Sequence, residues 1–213
     1  RVLDGLFKLA ERLFGIRICE EKGASVWHKD VRFFRLYERD SKESFAAFYL
    51  DPYSRPGLKR SGAWMNDFAS RCRKADGSVR KPLAVIVCNQ TVPVGKKKPV
   101  MRFAEVETLF HEFGHCLQHL LTEVDDVDAS GINGIEWDAV EIASQFMENW
   151  CYEKSVITDI AQHIDSGEAL PGWLFDRMLA SRNYRAGTMM LRQLTFAALD
   201  MDLYARYPRF DGD

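Results

Sequence analysis

Residues 109–115 read Leu-Phe-His-Glu-Phe-Gly-His, in the middle of an apolar-periodic stretch from Glu105 to Leu121. That stretch predicts a long helix, with acidic residues in its first turn favouring the helix dipole. On a helix, His111 and His115 project from one face a turn apart, near enough for both imidazoles to reach one metal ion. Glu112 lies one position along, where its carboxylate can reach a water at that metal. Nitrogen and oxygen donors of this kind suit zinc, and a catalytic zinc site keeps one position open. Manganese and cobalt fit the same donors, because affinity order alone does not select the metal. A helix that must bury Leu109, Phe110, Phe113, Leu117 and Leu120 while holding two histidines at a polar centre constrains the surrounding fold more than any other feature.

The rest of the chain supplies something for that helix to pack on. Leu3, Leu6, Phe7, Leu9, Leu13 and Phe14 are spaced for an amphipathic helix over 3–14, ended by Gly15. The aromatic and apolar runs 32–38 and 45–50, separated by a polar stretch, predict a β-hairpin with a long loop. The uninterrupted apolar run Leu83–Cys88 predicts a strand buried on both faces. After Pro99 helices dominate, with a second long helix predicted over about 137–154 and others near 173–184 and 188–206. The expected fold is α+β and mainly helical, with a small antiparallel sheet followed by a helical half. The expected division is 1–100, carrying the first helix and the sheet, and 101–213, carrying the metal helices.

Composition removes several alternatives. A formal charge of -2 over 213 residues gives no footprint for nucleic acid. The basic run Lys96–Lys98, set between Pro93 and Pro99, reads as a solvated loop. No apolar run approaches the roughly 18–20 residues needed to cross a bilayer. Five cysteines, odd in number and without a C-x-x-C pair, argue against a disulfide framework. Cys88 and Cys116 read as small buried hydrophobes.

A third metal ligand is required, and the second helix offers Glu136, Asp138, Glu141 and Glu148. Glu141 and Glu148 are seven apart and nearly share a face, so one can ligate while the other supports the ligands. His119 continues the stripe but sits roughly 12 Å of axial rise beyond His111. That is too far to share the metal, and a supporting or surface role is expected for it.

Several segments carry a wider resemblance. Leu109–His115, Ser130-Gly131-Ile132-Asn133-Gly134, Trp137–Glu141 and Ser144–Trp150 are similar to the thimet oligopeptidase family, closest to its oligopeptidase A branch. Phe48–Arg55 and Gly62–Met65 resemble it too, so the likeness covers essentially the whole chain. It implies a zincin-like catalytic core with one Zn2+, in which Glu141 is the third ligand and Glu112 the catalytic base. Asp138 and Glu148 are then candidates for supporting the ligands, and Gly62 and Ala63 for pairing with an extended peptide. The implied activity is hydrolysis of internal bonds in short peptides by a zinc metalloendopeptidase, a protein expected to be monomeric. The expected compartment is cytoplasmic, or mitochondrial or plastid where a transit peptide precedes Arg1. Family members are several times longer and supply oxyanion-binding tyrosines and a histidine from a later segment. The chain is therefore expected to be a partial catalytic domain, weakly active or inactive alone. The alternative is a non-catalytic zinc-binding fragment or interaction module.

Overall fold

The computed structural model describes residues 1–93, 95 and 99–206, so the predicted loop Lys96–Lys98 lies outside the described residues. The chain forms two compact units, Arg1–Ala169 and Leu170–Asp213. The change from sheet to helices near residue 100 thus falls inside the first unit.

The first unit opens with α1 (Val2–Phe14), ended at Gly15 as its periodicity predicts. Five strands form one sheet: β1 (Ile16–Glu20), β2 (Arg32–Glu38), β3 (Ser44–Tyr53), β4 (Trp64–Ala69) and β7 (Leu83–Gln90), in the order β1-β2-β3-β7-β4. Two short strands, β5 (Cys72–Arg73) and β6 (Val79–Arg80), pair separately. The hairpin predicted over 32–50 is β2–β3, with Phe34 opposite Phe48.

The sheet corrects the expectation of an antiparallel one: it is mixed, because β7 runs parallel to β3. The physical reason lies in β7 itself. Ala84 to Cys88 are all buried, so this strand needs cover on both faces and a neighbour on both edges. It inserts between β3, parallel, and β4, antiparallel with Met65 opposite Ile86. Strand β4 is left at the edge, with a bulge between Asp67 and Ala69.

Alternation along the strands divides the core into two faces. Phe34 stacks on Phe48 at 5.0 Å, and Phe7 of α1 meets both edge-on. Phe113 of α2 (Phe103–Leu120) closes this cluster against Phe48 at 5.7 Å. The apolar side of the metal helix is therefore seated on the sheet, which fixes where its polar side looks. The opposite sheet face carries Phe33, Tyr49 and Phe68, with Trp27 laid against Tyr49 and Phe68.

Asp51, only 3% exposed, is held by both Arg55 nitrogens at 2.7 and 2.5 Å, by Lys59 Nζ at 3.1 Å and by Trp27 Nε1 at 3.1 Å. Burial pushes its carboxyl up, but the hydrogen bonds from Arg55, Trp27 and Lys59 outweigh this and hold it below the usual carboxylate value. A depressed native pKa stabilises the fold above the unfolded value of about 3.9. That contribution is lost as pH falls further, through the native pKa. Asp51→Ala removes the buried carboxylate shared by two part-buried cations and is expected to cost about 3 kcal/mol in denaturant unfolding at neutral pH. Unchanged stability would show the cluster to be solvated rather than buried.

The second predicted helix also needs correcting. Residues 137–141 form turns, α3 spans Ile142–Asn149, a 3-10 turn follows at Trp150–Tyr152, and α4 spans Lys154–Ile160. Glu141 is thus the residue that caps α3, not a position inside a long helix. In the second unit, α5 (Gly172–Arg182) and α6 (Ala186–Met201) match the predicted helical stretches, and α6 runs on into a π-helical turn at Asp202–Arg206. No helix among the described residues is long and apolar enough to cross a membrane. The five cysteines are free, with Cys88, Cys116 and Cys151 buried.

Candidate metal centre

On α2 the two histidine rings stand edge-on with centroids 4.9 Å apart. Facing them, Glu141 places Oε2 3.2 Å from His111 Nε2 and 3.1 Å from His115 Nε2. One donor atom from each of the three residues lies within 4.8 Å of the others. The close approach of α3 to α2 that permits this depends on Gly114. A Cβ there would stand 2.5 Å from the Ala143 carbonyl oxygen and 2.6 Å from Ser144 Cα, both backbone atoms.

Two members of the cluster are held from behind. Glu148, one face-repeat along α3, places Oε1 2.5 Å from His111 Nδ1. A carboxylate can only accept, so Nδ1 carries the proton and the Nε2 lone pair points at Glu141. Ser144 Oγ donates to Glu141 Oε2 at 2.7 Å, and this bond, ahead of the nearby His115 and His111, lowers the Glu141 pKa. For His115, burial lowers the pKa, and among the described residues the ring's Nδ1 has no hydrogen-bond partner, so its polar contact is at the cluster. Nitrogen and oxygen lone pairs converging at this distance repel one another unless a proton or cation sits among them. The donor set therefore fits a divalent cation such as zinc.

Glu112 is 6% exposed and stands apart from the three converging atoms. Burial raises its pKa to about 6; His111 opposes this, Glu141 adds to it, and the Met65 backbone amide of β4 opposes it. The carboxylate lies between the metal helix and the edge strand. Cys88 of β7 is near the same carboxylate, but burial pushes its thiol up to about 12, which leaves it inert.

The remaining sequence-level candidates are scattered. Asp138 is exposed and makes no hydrogen bond or ion pair among the described residues. Gly62 and Ala63 lie in the bend before β4 rather than in a strand, with the Gly62 carbonyl accepting from Asn89 Nδ2 at 2.5 Å. His119 is not at the surface: its exposure is 0%. Sequence reasoning did not find Ser144 or the Met65 amide as neighbours of the centre. Ser144 had a usable signal in its three-residue spacing from Glu141, whereas the Met65 contact arises only from sheet order.

The model of Peptidase family M3 matches residues 1–211. Among curated proteins, the chain is 53% identical over 211 residues to organellar oligopeptidase A, chloroplastic/mitochondrial, of Arabidopsis thaliana, covering 97% of this chain and 26% of that protein. It is 51% identical to probable cytosolic oligopeptidase A of the same plant, covering 97% of this chain and 30% of that protein. Oligopeptidase A of Escherichia coli (strain K12) is 48% identical over 207 residues, with 97% and 30% covered. The chain therefore spans between a quarter and a third of the length of these relatives.

Proposed function

This chain belongs to peptidase family M3, and on that premise we propose that it holds the metal-and-base centre of a zinc metalloendopeptidase acting on short peptides. The observation that carries the reading is the meeting of His111 Nε2, His115 Nε2 and Glu141 Oε2 beside a buried Glu112. His111, His115 and Glu141 would hold a single Zn2+, which supplies Lewis acidity toward the peptide carbonyl and acidifies water.

The protein's own groups do the rest. Glu112 takes a proton from the attacking water and returns it to the leaving amine as the C–N bond breaks. A carboxylate with a pKa near 6 is suited to both transfers. Glu148 fixes the His111 tautomer and Ser144 orients Glu141, so neither ligand spends freedom on finding its geometry. The edge of β4 that no strand covers among the described residues, with Gly62 and Ala63 leading into it, would accept an extended peptide by strand addition. Oxyanion donors would come from outside this chain, so the chain alone is expected to turn over weakly or not at all. An enzyme of the cytoplasm or an organelle fits the compartments named for its relatives, and a monomeric state is part of the proposal.

Titration of the metal-free protein is expected to reach one zinc per chain. Glu148→Ala should weaken binding by about 10–100-fold through loss of the His111 anchor. Full-length protein should cleave internally quenched peptides, lose activity to a chelator and regain it with zinc. Absence of stoichiometric zinc binding, or cleavage indifferent to chelation, would overturn the reading.

A further inference from the structure

His119 lies outside the metal cluster, one turn further along α2, and the proposed chemistry does not use it. It is nevertheless wholly buried, and both ring nitrogens are engaged. Nε2 is 3.0 Å from the Ala69 carbonyl at the end of β4, and the Ile132 amide approaches Nδ1 at 3.5 Å. A carbonyl can only accept and an amide N–H can only donate, so Nε2 carries the proton and Nδ1 receives one. Gly131 covers the ring at φ +68°, where a Cβ would meet His119 Nδ1 at 2.5 Å and the His119 carbonyl at 2.9 Å. Only glycine satisfies both the backbone angle and the contact.

Three segments meet at this ring. One is the metal helix. The second is the end of the edge strand, just past its bulge, four residues beyond the Met65 amide that faces Glu112. The third is the 130–134 turn, which leads to Glu141 seven residues later. Just past the strand, Asn133 Nδ2 of the turn donates to Ser70 Oγ at 2.7 Å, and Arg71 Nε donates to Asp125 Oδ1, in the loop ahead of the turn, at 2.8 Å. A packing role alone would be filled by any flat ring of this size. The imidazole adds two directed bonds, one to the edge strand and one to the turn. Together with the Met65 amide at Glu112 it ties β4 to the metal helix, whereas the bonds of Ser70 and Arg71 run to the turn and the loop.

We propose that His119 is a positioning residue for the peptide substrate: through Ala69 it holds the edge strand β4 at a fixed distance from Glu112 and the metal helix. The inference rests on the metallopeptidase reading, with the substrate laid along β4. Because His119 touches none of the three converging donor atoms, its loss should loosen the strand and spare the metal.

The test compares His119→Phe, which keeps the ring volume without the bonds, with His119→Gln, which keeps a donor and an acceptor. On the full-length protein, zinc affinity, amide exchange along 64–69 and the KM and kcat for a quenched peptide are measured together. For His119→Phe, exchange in β4 is expected to rise and kcat/KM to fall by about tenfold each, the scale of one lost hydrogen bond. The fall should be carried mainly by KM, with zinc affinity held and with partial recovery in His119→Gln. Unchanged exchange in β4, or a fall in kcat alone, overturns the proposal. So does faster exchange spread equally over β7 and α2 with zinc lost, which marks a purely structural residue. Wild-type protein that binds no zinc sinks the metallopeptidase reading instead, while the exchange comparison still decides whether His119 restrains β4.

Discussion

Replacing Glu112 by Gln is expected to lower peptide turnover in the full-length protein by about 10²–10⁴-fold, the span of a positioned general base, and to leave zinc bound. The side chain is buried and stands apart from the three converging donors, so the amide keeps the volume and an acceptor for the Met65 amide. It loses only the capacity to take up and return a proton. Zinc stoichiometry measured on the same preparation separates loss of the base from loss of the metal. Turnover within a few-fold of wild type would remove Glu112 from the mechanism.

Gly114→Ala, a single added methyl group, is expected to have the second largest effect. Its Cβ would stand 2.5 Å from the Ala143 carbonyl oxygen, 2.6 Å from Ser144 Cα and 2.9 Å from the Ala143 carbonyl carbon. All three are backbone atoms, which cannot rotate aside, so α3 must shift outward. Overpacking of this kind costs about 1–3 kcal/mol or more. The shift carries Glu141 and Glu148 away from the histidines, and sites of this type tolerate only about 0.5 Å of error. Zinc affinity should therefore fall together with the unfolding free energy, although no ligand has been changed. An alanine variant with native affinity and native stability would show that α3 does not set the third ligand.

The two variants separate chemistry from architecture. Glu112→Gln changes a proton acceptor and leaves the scaffold in place. Gly114→Ala leaves every polar group in place and changes the distance between two helices. The first reads out in turnover at constant metal content; the second reads out in metal content itself.

What the sequence determined is local. Helical periodicity placed α1 and α2, because each buries one side against a core, and apolar runs bounded by polar stretches placed β2, β3 and β7. The five-residue motif on α2 put His111, Glu112 and His115 within reach of one metal for the same reason, since helix geometry alone sets their spacing. Tertiary structure decided everything that depends on which segment lies beside which. Of Glu136, Asp138, Glu141 and Glu148, spacing put Glu141 and Glu148 nearly on one face without saying which one ligates, and the family resemblance singled out Glu141. In the fold Glu141 caps α3 opposite the histidines, and Glu148 reaches the far nitrogen of His111. The parallel pairing of β7 with β3 is invisible in an apolar run, because burial on two faces does not say which neighbours provide it. His119 shows the same limit: its position on the helix was legible, but its partners Ala69 and Ile132 are 50 and 13 residues away. The His-Glu-Phe-Gly-His segment thus specified the donors and the base on one helix. Packing against β4 and α3, with Gly114 permitting the approach, turned that segment into a centre with a third ligand and a substrate edge.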